Sequence, residues 1–239
     1  MLLEKILQSQ GFGSRKYCQQ LIKNGSVLIE NQVYDNPKQN LNTDDLNFTV
    51  FGEPYQYREN VYIALNKPQD YECSHQATHH QSVFSLLPEI LIHRGVQCVG
   101  RLDQDTTGLL LLTDDGMLAH ELLSPRKHVD KVYFAKVSGQ FGENEIARFK
   151  EGLDIGNGER SKQARLQILK ADVQESEVLI TIMEGKFHQV KRMVKAVGSE
   201  VLYLKRLSMG SLKLDEELKL GEYRRLTKAE LQELKEHRR

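Results

Sequence analysis

Apolar residues recur at helical spacing at the start of the chain, first Leu3, Ile6 and Leu7 and then Cys18, Leu21 and Ile22, with Gly11-Phe12-Gly13 between the two groups. The pattern predicts two short helices. Ser14 stands where an N-cap hydroxyl belongs for the second, and Asn24-Gly25 ends it with residues that enter the left-handed region easily. Short strand patterns follow. Val27-Leu28-Ile29 and Gln32-Val33-Tyr34 flank a Glu-Asn turn, and Phe48-Thr49-Val50 makes a further strand. These elements predict a compact αα-β unit over residues 1–52, with a polar, Pro-containing linker at 53–60.

A second domain is expected over residues 61–239. Strands are predicted at 61–65, 108–113, 132–137, 164–169, 177–183 and 201–207, where β-branched and aliphatic residues cluster. Helical periodicity covers Met117 to Leu123, Glu143 to Glu151 and Lys186 to Val197. Thr227-Lys228-Ala229-Glu230 is a capping box that opens a last helix. The irregular alternation of strands and helices favours an α+β fold with a mixed, largely antiparallel sheet over a doubly wound one.

Composition narrows the class. A chain of 239 residues with 39% hydrophobic and 28% charged residues is globular, and no stretch approaches the roughly 18 apolar residues of a membrane span. The first residues lack the basic start, apolar run and small-residue cleavage site of a signal peptide, so a cytoplasmic protein is expected. Cys18, Cys73 and Cys98 are odd in number and widely spaced; they are read as reduced packing thiols.

The 33 basic and 33 acidic side chains cancel, but not locally, and local phosphate neutralisation is what sets affinity for nucleic acid. Lys5, Arg15, Lys16 and Lys23 face only Glu4 in residues 1–25, and Ser14-Arg15-Lys16 begins a helix, where free N–H groups favour a phosphate. Residues 183–206 hold Lys186, Lys191, Arg192, Lys195, Lys205 and Arg206 against Glu184 and Glu200, with His188 among them. A cationic, nucleic-acid-binding groove is expected there.

Between these clusters, Gly100-Arg101-Leu102-Asp103-Gln104-Asp105 is a polar turn running into the most apolar strand of the chain. Loops held by a rigid sheet carry chemistry. A carboxylate there can be a nucleophile, a general base or a metal ligand, and nothing local decides among these. Asp114-Asp115-Gly116 reads as a turn that starts a helix. His75, His79 and His80 lack partners at ligand spacing, and no phosphate loop, G-x-S-x-G elbow or dinucleotide fingerprint is present, so neither a metal nor a cofactor is expected.

Taken in order, these motifs resemble those of the RsuA-type pseudouridine synthases nearly end to end. Ser14-Arg15-Lys16 and Leu21-Ile22-Lys23-Asn24-Gly25-Ser26-Val27 are similar to an S4 RNA-binding domain. Four further motifs are in family order: Leu65-Asn66-Lys67-Pro68, Gly100-Arg101-Leu102-Asp103, Lys131-Val132-Tyr133, and Glu184-Gly185-Lys186-Phe187-His188-Gln189-Val190-Lys191-Arg192-Met193. The resemblance implies a mixed-sheet catalytic domain, Asp103 as nucleophile, Tyr133 against the target base and placed to accept the C5 proton, and Lys191 paired with Asp103. It also implies RNA contacts from Ser14, Arg15, Lys16, Lys23, Arg101, Lys186, His188, Gln189 and Arg192. Lys186 stands where arginine is common, which keeps the charge and loses the bidentate fork.

Asp105-Thr106-Thr107-Gly108, Thr113-Asp114-Asp115-Gly116 and Ser124-Pro125-Arg126-Lys127-His128 are most similar to the small-subunit members of that family. The expected partner is therefore 16S rRNA or a small-subunit assembly intermediate, bound by a monomer without a cofactor. The alternatives are a 23S rRNA enzyme and a noncatalytic S4-type assembly factor. A two-carboxylate hydrolase is poorly supported by the Asp103–Asp105 spacing, and an S4-containing methyltransferase lacks its glycine-rich turn.

Overall fold

The computed structural model describes residues 1–124 and 127–236, which fall into two compact units, Met1–Val61 with Leu87–Gln97 and Tyr62–Leu86 with Cys98–Arg239. In the first unit, α1 (Leu3–Ser9) and α2 (Arg15–Lys23) pack on a sheet of β1 (Val27–Ile29), β2 (Gln32–Val33), β3 (Asn47–Val50) and β4 (Glu53–Gln56), in the order β2-β1-β3-β4. Leu3, Leu7, Cys18, Leu21, Ile22, Val27, Ile29, Phe48 and Val50 form its core. The expected cap is present: the Ser14 hydroxyl accepts from the Tyr17 N–H at 3.3 Å.

Two boundaries differ from the sequence expectation. The linker expected from residue 53 begins as β4, which pairs antiparallel with β3. Phe51 and Gly52 both take positive φ, 53° and 82°, the backbone sense that lets a two-residue turn join twisted strands. Pro54 is tolerated because β4 is an edge strand. The second difference is α3 (Glu89–His93), which groups with the first unit although the sequence places it in the larger domain. The Arg94 fork donates to Gln10 Oε1 at 2.8 Å and to the Arg58 and Glu59 carbonyls at 2.9 and 3.0 Å.

The second unit comprises β5 (Tyr62–Lys67), β6 (Tyr71–Glu72), β7 (Gln81–Ser82), β8 (Gln97–Cys98), β9 (Thr107–Thr113), α4 (Gly116–Leu123), β10 (Lys131–Ser138), α5 (Glu143–Glu151), β11 (Arg165–Ala171), β12 (Glu175–Ile182), α6 (Gln189–Ala196), β13 (Val201–Met209), β14 (Leu212–Lys213), β15 (Tyr223–Arg225) and α7 (Lys228–Glu236). β8 straddles the division between the units. The main sheet runs β11-β12-β10-β13-β9-β5-β15, antiparallel at every step except β13 beside β9. This is the mixed, largely antiparallel sheet of the expected α+β fold.

Burial follows sequence pattern. β10 alternates buried Lys131, Tyr133, Ala135 and Val137 with half-buried neighbours, whereas central β9 is buried throughout, as a strand covered on both faces must be. Leu109 and Leu111 of β9 pack with Leu118 and Leu122 of α4, Met209 and Leu234. Asp115 caps α4 by accepting from the Leu118 N–H at 2.9 Å, and Thr227 and Glu230 close the predicted capping box. Helix α6 was expected from Lys186 but starts at Gln189, because His188 takes φ +48° and the preceding residues form a separate turn. Pro125 and Arg126 of the Ser124-to-His128 motif lie outside the described residues.

Candidate active site

The loop that carries Asp103 enters β9, and β5 lies beside β9 with Lys67 opposite Gly108. That register puts Lys67 under the loop. Its fully buried ammonium donates to the carbonyls of Pro68, Gln104 and Thr106 at 2.9, 3.1 and 3.0 Å. Burial lowers its pKa, opposed by the negative charge of Cys73, Asp105 and Asp103. Three carbonyls on one ammonium satisfy its three donors and fix the backbone on both sides of Asp105. The Thr106 N–H also returns to the Asp103 carbonyl at 3.1 Å. Asp103 is thus presented by a loop whose shape is set from below.

The opposing wall is the turn that precedes α6. Gln189 is 4% exposed; its amide donates to Glu184 Oε1 at 2.6 Å and accepts from the Lys186 N–H at 2.8 Å. Glu184 also accepts from the Lys162 N–H at 2.8 Å. The closed turn directs His188 and Lys191 to Asp103: His188 Nε2 lies 3.4 Å and Lys191 Nζ 3.3 Å from its carboxylate. Lys191 lies closer to Asp105, 2.6 and 2.8 Å from its two oxygens, so one ammonium bridges both carboxylates of the loop. Tyr133, 7% exposed on β10, shares the wall of the same pocket with Asp103, Thr106, Ile182, Val190 and Leu204.

Buried cations lie on the strands that carry and flank Tyr133. Lys131 has a pKa pushed down to about 8, by burial first and by the Arg206 cation second. Arg206 is 1% exposed and donates to the Leu109 carbonyl at 2.7 Å, while its Nη2 has no hydrogen-bond partner. Cys73 and Cys98, read from sequence as separate packing thiols, are neighbours here. Donation from the Cys98 thiol brings the Cys73 pKa down to about 7, and Cys98 is raised in turn by holding its proton for Cys73. The Leu102 N–H points at Cys73 Sγ at 3.4 Å, directly before Asp103. A separation of 25 positions gives no sequence signal of this pairing.

The side chains expected to contact RNA differ in how far the fold already uses them. Gln189 uses both ends of its amide inside the turn. Arg192 is held by the carbonyls of Ile155, Gly156 and Phe187 and by Glu159, so its fork is taken up within the fold. Lys186 is half-buried, with Nζ on the Arg160 carbonyl at 2.6 Å, and Arg101 lines the pocket. In the first unit Lys16 and Lys23 are exposed, Ser14 spends its hydroxyl on the cap, and Arg15 grips the buried Glu4 through Nε and Nη2 at 3.0 and 2.6 Å.

Among the described residues no group of three or more His, Cys, Asp or Glu side chains is arranged to hold a metal ion. His75 stacks on Phe84, and the backbone N–H groups of His79 and His80 donate to Glu72. No helix among the described residues is long and apolar enough to cross a membrane.

Comparison with known proteins agrees with this geometry. The family profile described as RNA pseudouridylate synthase matches residues 61–196, and that of the S4 domain matches residues 1–47. A Bacillus subtilis protein named as an uncharacterized RNA pseudouridine synthase is 44% identical over 236 residues, 99% of each chain. The Vibrio vulnificus ribosomal small subunit pseudouridine synthase A is 37% identical over 97% of this chain and 98% of its own. A solved structure described as a pseudouridylate synthase superposes with a TM-score of 0.69 at 33% identity, covering 98% of this chain and 99% of that one. With an S4 domain ahead of a synthase domain and relatives matched along their whole length, the chain belongs to the RsuA-type RNA pseudouridine synthases.

Proposed function

We propose that the chain isomerises one uridine of 16S rRNA to pseudouridine, with Asp103 as the nucleophile and with free RNA or a small-subunit intermediate as substrate. The observation that carries the reading is the carboxylate of Asp103, held on a braced loop at a pocket walled by Tyr133 and flanked by Lys191 and His188 at 3.3 and 3.4 Å. The 16S assignment rests on relatives named as ribosomal small subunit pseudouridine synthase A.

The chemistry is self-contained in atoms. The N1–C1′ bond of uridine breaks, the ring turns, a C5–C1′ bond forms, C5 gives up a proton and N1 gains one. A carboxylate nucleophile divides this into two easier steps, and an enclosed pocket keeps the detached base beside its sugar. Lys191 orients the Asp103 carboxylate by charge, and Tyr133 presents a flat, buried surface to the ring and a phenol to the proton on C5. Reaching such a pocket requires the uridine to leave its stack, and basic side chains at the entrance offset the phosphate charge that comes with it.

Carbodiimide modification and primer extension on 16S and 23S rRNA, incubated with the wild-type chain and with Asp103→Asn, test the reading. One stop in 16S that disappears with Asp103→Asn is the expected result. Pseudouridine formed by Asp103→Asn would overturn the nucleophile, and a stop confined to 23S would overturn the substrate. No stop on either RNA or on assembly intermediates would favour a binding protein.

A further inference from the structure

Phe187 stands out in the turn that supports the site. Its ring is 69% exposed and stacks on His188, with centroids 3.7 Å apart and planes 21° from parallel. Single exposed apolar side chains are ordinary. This one is unusual in what holds it. Its carbonyl accepts from Arg192 Nη1 at 3.2 Å, its neighbours Lys186 and Gln189 close the turn at 2.8 Å, and His188 fixes the backbone in a left-handed conformation. An apolar ring is thereby kept in solvent, with one face on His188 and no packing on the other among the described contacts.

The ring lines a cleft that continues from Asp103 past His188 to Cys73, Ser74 and His79. Arg101 and Lys186 line the same walls, with Lys191 paired to Asp103 and Asp105 and with Glu72 farther along. An exposed aromatic face beside Arg101 and Lys186 offers what single-stranded nucleic acid needs, because every base has a π-face to stack and every linkage a charge to offset. His188 lies 3.4 Å from Asp103, and Phe187 stacks on His188. A base on the free face of Phe187 is therefore beside the Asp103 pocket rather than in it.

We propose that Phe187, backed by His188, is the stacking platform for a nucleobase flanking the target uridine, so that the substrate is engaged as unpaired RNA of more than one nucleotide. This rests on the isomerase reading for what occupies the Asp103 pocket. Phe187 is a positioning residue, and the step it governs is capture of the RNA strand.

The chain has no tryptophan, so Phe187→Trp introduces a single fluorescent reporter at the platform. Pentauridylate is expected to quench that fluorescence by stacking, whereas a pentamer of abasic deoxyribose phosphates, with the same charge and no bases, is not. Phe187→Ala and Phe187→Leu should weaken pentauridylate binding by roughly 5-fold or more, leave the far-ultraviolet circular dichroism and melting midpoint unchanged, and barely alter the weaker binding of uridine monophosphate. Phe187→Trp should bind pentauridylate as well as wild type does.

Equal quenching by the abasic pentamer would overturn the proposal. So would unchanged pentauridylate affinity in Phe187→Ala, equal losses for monomer and pentamer, or no measurable pentauridylate binding by the wild-type chain. Pseudouridine mapping with the wild-type protein keeps the two readings separate: a chain that makes pseudouridine yet binds pentauridylate equally with Phe187→Ala loses only the platform.

Discussion

Glu4 is a carboxylate without solvent access, held by Arg15 Nε and Nη2 and by the Gln19 amide. The donations from Gln19 and Arg15 keep its carboxyl below the usual carboxylate pKa. A carboxyl whose pKa is lowered by folding stabilises the fold fully above its ordinary value, here 4.5, and loses that contribution as pH falls through the folded value. Arg15→Ala strands this buried charge, so the melting midpoint should fall by several degrees at pH 7 and by progressively less below pH 4.5. A deficit undiminished at pH 3 would show that Arg15 acts through packing instead. The sequence displays the charge of Arg15 but not its partner eleven positions away. That Asp103, Tyr133 and Lys191 share one pocket was legible because they stand in motifs that recur in family order. The second carboxylate on Lys191 was not, since only the folded loop sets which oxygen lies nearer.

At the scale of the element, the site depends on the one parallel neighbour pair in the main path of the sheet. Lys205 and Arg206 of β13 lie beside Thr107 and Gly108 of β9, and Gly108 has φ +99°. A Cβ there would meet the Arg206 nitrogen at 2.8 Å, Lys205 Cγ at 2.9 Å and the Arg206 carbonyl closer still. Backbone cannot swing away as a flexible side chain can. Gly108→Ala should therefore cost about 3 kcal/mol of stability, read by urea unfolding, from combined φ strain and overpacking. A loss below about 0.5 kcal/mol would mean that the two strands separate easily. The strands themselves were visible in the sequence as apolar runs and alternation. The start of α6 was not, because Lys186 to His188 fit helical spacing and only the Gln189 amide, turned back on Glu184 and Lys186, shows that the helix begins later. β4 was hidden for a similar reason: a polar, Pro-containing segment reads as a linker until its backbone is seen paired at a sheet edge.

Across the whole molecule, zero net charge conceals two cationic regions, and the structure sorts their members by whether the fold already uses them. In the first unit Glu4 takes Arg15, while Lys16 and Lys23 are exposed. If that unit contacts phosphates as proposed, Lys16 and Lys23 are the members of the set whose ammonium groups the fold does not use. Each phosphate contact releases counterions, so each lost contact makes the plot of log affinity against log salt shallower by about 0.7–0.9. Lys16→Ala with Lys23→Ala should flatten that slope for 16S rRNA by roughly 1.5 and weaken binding most at low salt. Neither lysine holds the fold together through a side-chain hydrogen bond or ion pair among the described contacts, so the melting midpoint should stay within about 2 °C of wild type. Arg15→Ala provides the contrast, with a lowered midpoint and a slope that moves less than that of the lysine pair. A slope unchanged in Lys16→Ala with Lys23→Ala would mean that the first unit holds RNA through another face, and that the second unit carries the electrostatic contribution to binding.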